Sequence, residues 1–310
     1  MAIPPQPLRT TQARVGMPNT QSQSQQRATS ILADENDGGR RFEFGENWQN
    51  FLSVVDEERA AEASASLCAM LGVSSLEGMS FLDIGSGSGL FSLAAAQLKA
   101  SRVHSFDFDP GSVGCTQELK RRFLPDCESW TIEQGSVLDR SYLESLGTFD
   151  VVYSWGVLHH TGNMMRALEN AALPVASGGR LFISVYNDQG LRSRIWRTIK
   201  RIYNRLPNGM RTPYVILVMA PRELMSAALA SARLHPMDYV RTWTEYRRRR
   251  GMSRWHDRVD WVGGYPFEVA TPELVFDFYR ERGFSLDQLK TCGGALGCNQ
   301  FVLVRSSASS

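Results

Sequence analysis

Five short apolar runs, at 80–84, 102–106, 129–132, 149–153 and 180–185, are separated by stretches of helical character starting near Gly89, Pro110, Asp139 and Gly162. That alternation constrains the fold more than any other feature of the chain. Consecutive strands joined through helices must run parallel, with the crossover helices covering the faces of one sheet. A helix over 51–71, with Phe51, Leu52, Val55, Leu67, Met70 and Leu71 as its apolar points, precedes the first strand. The pattern changes near the end. Thr271-Pro272-Glu273 starts a helix over 274–282, and strands at 284–290 and 300–304 flank the tight connection "TCGGALGCN". Those last two strands form an antiparallel hairpin. The predicted fold class is α/β, a mostly parallel sheet closed by an antiparallel pair.

The first strand runs into "FLDIGSGSGLF", residues 81–91, where Gly85, Gly87 and Gly89 alternate with Ser86 and Ser88. This is GxGxG, not the GxGxxG spacing of dinucleotide sites. Asp83 stands two residues before the first glycine. A carboxylate there is awkward for a pyrophosphate and useful for a cation such as an amino-acid ammonium group. Asp107, in "HSFDFDP" at the end of the second strand, is placed to accept hydrogen bonds from ribose hydroxyls. The ligand is therefore read as a nucleoside carrying positive charge.

Four blocks, "FLDIGSGSGLFSLAAA", "VHSFDFDP", "GSVLD" and the long segment opening "FDVVYSWGVLHHTG", together resemble class I S-adenosylmethionine-dependent methyltransferases of the type 11/12 kind. The resemblance covers 80–187 and resumes over 271–304. It implies a Rossmann-like seven-stranded sheet and S-adenosylmethionine as cofactor. It also implies roles: Gly85, Ser86, Gly87 and Gly89 against the methionine and ribose, Asp83 toward the amino group, Asp107 on the ribose and Phe108 beside the adenine. Family members often carry an acid where Ser136 stands; here Ser136 and Val137 would meet the base through hydroxyl and backbone. The "YSWGVLHHTG" loop would run under the methyl group, with Trp155 on the cofactor side. His159 and His160 are candidate proton acceptors, with His160 as readily a packing residue. "FEFGENW", residues 42–48, is a candidate lid by the same analogy.

Residues 188–270 leave the sheet at its carboxyl edge, where ligands bind in open α/β folds, and so form a predicted helical cap over the site. Between Asp188 and Val262 there are 16 Lys/Arg and 6 Asp/Glu, so the remainder of this +2 chain is acidic. Over 191–206, Leu191, Ile195, Trp196, Ile199, Ile202, Tyr203 and Leu206 share one helical face, and Arg194, Arg197, Lys200, Arg201 and Arg205 the other. The expectation is an apolar face turned to the core and a solvated basic face, a pattern equally suited to an anionic membrane surface. The arginine run in "EYRRRRG" has the same two readings, solvated or phosphate-binding. "RWHDRVDWVGGYPFE", residues 254–268, lacks a simple period; its mixture of aromatic and polar groups points to an acceptor pocket, with His256, Asp257 and Asp260 as candidate bases, or else to a Trp-rich linker.

Residues 1–40, rich in Gln, Ser, Thr and Pro, read as a disordered tail, with an organelle transit peptide as the weaker alternative. The longest unbroken apolar run after the sheet, 215–220, is too short to span a bilayer. Five cysteines without a CxxC pair point to a reducing, cytoplasmic setting and to no metal site. The expected activity is methylation of an oxygen or nitrogen on a metabolite, glycan or lipid-linked acceptor. RNA modification (because "GVLHH" also resembles the tRNA wobble-uridine carboxymethyltransferases) and a non-catalytic cofactor-binding scaffold at membranes are the alternatives. The sequence is silent on oligomeric state.

Overall fold

The computed structural model describes Trp48, Leu52 and residues 55–232, 236–244 and 254–307. The tail, most of the "FEFGENW" segment and the arginine run at 247–250 lie outside the described residues. The sheet has seven strands: β1 (Ser80–Ile84), β2 (Arg102–Asp107), β3 (Trp130–Gln134), β4 (Phe149–Trp155), β5 (Val175–Tyr186), β6 (Phe284–Lys290) and β7 (Cys298–Arg305). Their order is β3-β2-β1-β4-β5-β7-β6. The first five pair in parallel, and β7 pairs antiparallel with both β5 and β6.

Alternation along β1 explains the two cores. Leu82 and Ile84 enter a cluster with Phe106, Leu168 and Tyr279, while Phe81 points the other way to Leu67, Trp130 and Tyr153. The covering helices are α1 (Glu57–Leu71), α2 (Leu90–Gln97), α3 (Pro110–Phe123), α4 (Arg140–Ser145) and α5 (Met164–Ala172). Asp56, Asp109, Asp139 and Asn163 cap α1, α3, α4 and α5 by accepting from first-turn N–H groups. The Asp56 cap starts α1 at Glu57, later than the helix expected from Phe51. Strand β5 begins at Val175, ahead of the expected start, and carries Gly178 and Gly179 within it; its register against β4 shifts between Phe149 and Val151.

After β5 come α6 (Leu191–Arg205), α7 (Asn208–Ala232), α8 (Pro236–Thr244) and α9 (Arg254–Gly263), and then α10 (Pro272–Arg280). The segment leaves and re-enters at one place: Asn187 bridges Ala270, Ala270 N–H donates to Tyr186 (2.9 Å) and Asp188 N–H donates to Ala270 (3.1 Å).

Three expectations change here. Residues 254–263, where no simple period was evident and a pocket or a Trp-rich linker was expected, form a regular helix. In α6 the buried residues are Ser193, Lys200, Tyr203 and Asn204, while Leu191, Ile195 and Ile202 are exposed. Lys200 and Asn204 face inward, donating to the Trp261 and Gly263 carbonyls of α9, so Lys200 is not on a solvated face, whereas Arg194 and Arg205 are exposed as expected. The 215–220 run belongs to a helix of 25 residues whose most apolar window has a mean hydropathy of 1.4 and is 11% buried. By length and composition that helix could cross a membrane, which the unbroken run alone did not show.

Candidate functional site

The β1–α2 loop is built around glycines in the left-handed region. At Gly85 (φ +77°) an added Cβ would sit 2.5 Å from both Val157 methyls, and at Gly87 (φ +56°) it would meet the Trp48 indole at 3.0 Å. The loop is tied to β2. Gly85 and Ser86 N–H donate to the Phe106 carbonyl at 2.8 and 3.1 Å, and the Ser86 and Thr116 hydroxyls lie 3.0 Å apart. Gly87 N–H donates to Asp107 Oδ2 (3.0 Å), and Asp109 N–H donates to Asp107 Oδ1 (2.9 Å), so both carboxylate oxygens are held in place. Burial raises the Asp107 carboxyl to about 6 against those stabilising N–H groups.

Asp83 lies beneath the loop, 2% exposed. Trp130 Nε1 donates to Ser105, Ser105 to Ser92 and Ser92 to Asp83, a chain that ends on its carboxylate. Burial raises Asp83 to about 7, the Ser92 hydrogen bond opposes the rise, and Asp107 adds to it. Phe108 is 57% exposed and Trp155 46% exposed, both at the carboxyl ends of their strands. Ser136 Oγ accepts from Leu138 N–H (3.2 Å), and Val137 is buried with its carbonyl bonded by Asn170. The Gly87 cradle, the fixed Asp107 carboxylate and exposed Phe108 fit a nucleoside bearing an amino-acid arm. When bound, S-adenosylmethionine would supply a methyl group on positively charged sulfur; Gly85, Gly87, Asp107 and Phe108 would hold it.

A second cluster of candidate residues lies past β4 and β5. His159 and His160 sit on a short 3-10 turn, Leu158–His160. Their rings lie 4.5 Å apart and 4.0 and 5.5 Å from the ring of Tyr186, the last residue of β5. His160 Nδ1 pairs with the Pro266 carbonyl at 2.6 Å. His159 is buried beside the Ser184 backbone, whose hydrogen bond opposes the lowering of its pKa.

Lys200 descends from α6 and is 1% exposed. Its ammonium bonds the Trp261 carbonyl and lies 5.3 and 5.0 Å from the Trp261 and Phe267 ring centres. Burial lowers Lys200 to about 7, partly offset by Asp260. Burial, with Lys200 adding repulsion, lowers His160 to about 3; burial also takes His159 well down, helped by His160 and Lys200. Both histidines are thus held neutral, which favours hydrogen-bonding roles over strong general-base roles.

The structure therefore brings His159, His160 and Asp260 to one cluster, with Asp260 acting electrostatically on Lys200 and Tyr186. His256 lies one turn before Asp260 on α9, half-buried. Tyr186, Lys200 and Phe267 were missed by sequence reasoning. The signal for Lys200 was the polar stripe Ser193, Lys200, Asn204, which recurs at helical spacing. Among the described residues no group of acids, histidines or cysteines is arranged to hold a metal ion.

Residues 55–228, more than half of the chain, match the profile of the methyltransferase domain family. The chain belongs to this family. The class I resemblance and the S-adenosylmethionine cofactor it implied stand. Among curated relatives, the ribosomal protein L11 methyltransferase of Anoxybacillus flavithermus is 30% identical over 113 residues, 32% of this chain and 36% of that protein. The tRNA U34 carboxymethyltransferase of Alcanivorax borkumensis is 33% identical over 119 residues, 38% of this chain and 35% of that one. The ubiquinone biosynthesis O-methyltransferase of Rhizobium etli is 29% identical over 112 residues, 36% of this chain and 43% of that one. The chain spans about a third of the length of the first of these relatives. Magnesium protoporphyrin IX methyltransferase of Synechocystis, solved with SAH, aligns over 92% of this chain and 95% of its own at 17% identity, with a TM-score of 0.48.

Proposed function

We propose that this methyltransferase domain methylates an oxygen or nitrogen of a small or lipid-linked acceptor held beneath the cap. The observation that carries this reading is the buried cluster of His159, His160, Tyr186 and Lys200 at the carboxyl edge of β4 and β5, on the same edge as the glycine cradle. In this reading Trp155 and the 3-10 turn form one wall of the acceptor site. The neutral histidines orient the acceptor by hydrogen bonds. Lys200, poised near neutrality, receives the proton displaced from the acceptor, and Asp260 stabilises the resulting ammonium. Placement of the nucleophile supplies much of the acceleration, because the sulfonium is already activated.

The aromatic side chains gathered here (Tyr186, Trp261, Phe267) support a compact acceptor more than a polynucleotide strand. The test is transfer of labelled methyl groups to small-molecule, lipid and RNA extracts, with Asp107→Ala as the cofactor control. Label in a lipid or metabolite fraction, lost in the variant, is expected; label confined to RNA would overturn the acceptor assignment.

A further inference from the structure

The cap has an outer surface that the transfer reaction does not use. On α7, Met210, Leu217 and Leu224 recur every seven residues on one face and are exposed, Leu217 and Leu224 to 71% each. On the neighbouring α6, Leu191, Ile195 and Ile202 are exposed as well. Soluble surfaces rarely present so many large apolar side chains on adjacent elements. Their setting is basic: residues 191–232 hold eight Lys/Arg and a single acid, Glu223. Arg192, Arg194, Arg205 and Arg222 are exposed along these two helices, whereas Glu223 is turned inward to Arg254 (2.8 Å) and Arg258 (2.5 Å) of α9. An apolar stripe edged by cations, its only carboxylate withdrawn, is complementary to one partner chemistry: hydrocarbon beneath a layer of anionic headgroups.

We propose that the outer face of α6 and α7 docks on an anionic phospholipid bilayer, with α7 lying in the plane of the interface. The helix is long enough to cross, since 25 residues rise about 37 Å against a hydrocarbon core of about 30 Å. Its inner side forbids that arrangement. Val215 and Met219 pack with Tyr203 and Val262, and Tyr239 donates to Glu223 at 3.1 Å. Crossing would strip these contacts and carry the Glu223 carboxylate into hydrocarbon. Lying flat, α7 keeps its inner contacts and buries only the exposed stripe, while long arginine side chains reach the headgroups. The inference goes beyond the methyl-transfer reading and does not depend on the acceptor.

Vesicle co-sedimentation of the full chain tests it, with phosphatidylcholine vesicles compared with vesicles containing phosphatidylglycerol. The wild type is expected to bind the anionic vesicles and to release in high salt. Leu217→Glu with Leu224→Glu should lower the bound fraction about tenfold or more, and Arg194→Glu with Arg222→Glu about tenfold. Both pairs are exposed, so circular dichroism and melting temperature should match the wild type and separate lost docking from lost folding. Wild type that ignores anionic vesicles, or binds them as well after Leu217→Glu and Leu224→Glu, overturns the proposal. So does protein that resists an alkaline carbonate wash, which would make α7 a spanning helix. A dimer in light scattering that the leucine pair abolishes, without vesicle binding, would assign the face to a second copy and overturn it too.

Discussion

Replacing Lys200 with methionine should make the protein more stable and a poorer enzyme. The fold lowers this amine from 10.5 to about 7, mainly by burial. At about 1.36 kcal/mol per pH unit, the charged form is disfavoured by roughly 5 kcal/mol relative to the neutral one. Methionine fills a similar volume between Trp261 and Phe267 and removes that penalty. It also leaves the Trp261 carbonyl without its lysine donor, a loss of about 1–3 kcal/mol. The net gain near pH 7 is therefore roughly 2–4 kcal/mol, or a rise in Tm of several degrees for a chain of this size. The pH dependence identifies the cause. Below pH 7 lysine is protonated in both folded and unfolded states, so the penalty is fully present. Between about 7 and 10.5 the unfolded chain still holds the proton and the folded one does not, so wild-type stability rises with pH. The advantage of Lys200→Met should shrink accordingly by pH 9.5 to 10. Urea unfolding of both proteins at pH 6.5, 8 and 9.5, alongside methyl-transfer rates, provides the measurement. A variant destabilised equally at every pH would refute the reasoning, because Lys200 would then be an ordinary structural cation.

Cofactor affinity should respond to Asp107, whose carboxyl is raised to about 6. Calorimetric binding of S-adenosylhomocysteine should be flat above pH 7 and weaken about tenfold per pH unit well below 6, as this carboxylate becomes protonated. Over that same range the proton is held more tightly by the folded than by the unfolded state. Asp107 therefore contributes stability as pH falls toward 3.8, opposite in sign to its effect on binding. Gly85→Ala combines a left-handed backbone with a Cβ 2.5 Å from Val157; roughly 2–4 kcal/mol of stability should be lost with cofactor affinity, read by thermal melting, and an unchanged Tm would contradict the loop geometry.

The glycine loop and the strand-end acids were legible because their signals are local. The glycine spacing, Asp83 and Asp107 each lie within a few residues of a strand end, and strands β1 and β6 fall where the alternation placed them. The buried cluster past β4 was legible only in part: His159, His160 and Asp260 were candidates from the sequence, but their meeting with Tyr186 and Lys200 needs four distant segments to fold together. Helical period placed Trp196, Ile199 and Tyr203 of α6 inward and Arg194 and Arg205 outward correctly, but it misplaced Lys200, which is buried, and Leu191, Ile195 and Ile202, which are exposed. Periodicity reports that two faces differ; it cannot say which one covers a polar site. Helix α9 escaped notice for a related reason. Its apolar stripe, Trp255, Val259 and Val262, is short and interspersed with Arg254, His256, Asp257, Arg258 and Asp260, of which Arg254 and Arg258 face Glu223.

The junction at Asn187 and Ala270 has an engineering consequence. Because the two ends of the intervening segment are stitched side by side, the sheet is a chassis with one mounting point, and 189–269 is a cassette fitted to it. A two- or three-residue turn could close that gap without moving β5 or α10. Exchange of the cassette would leave the sheet and the glycine loop as they are.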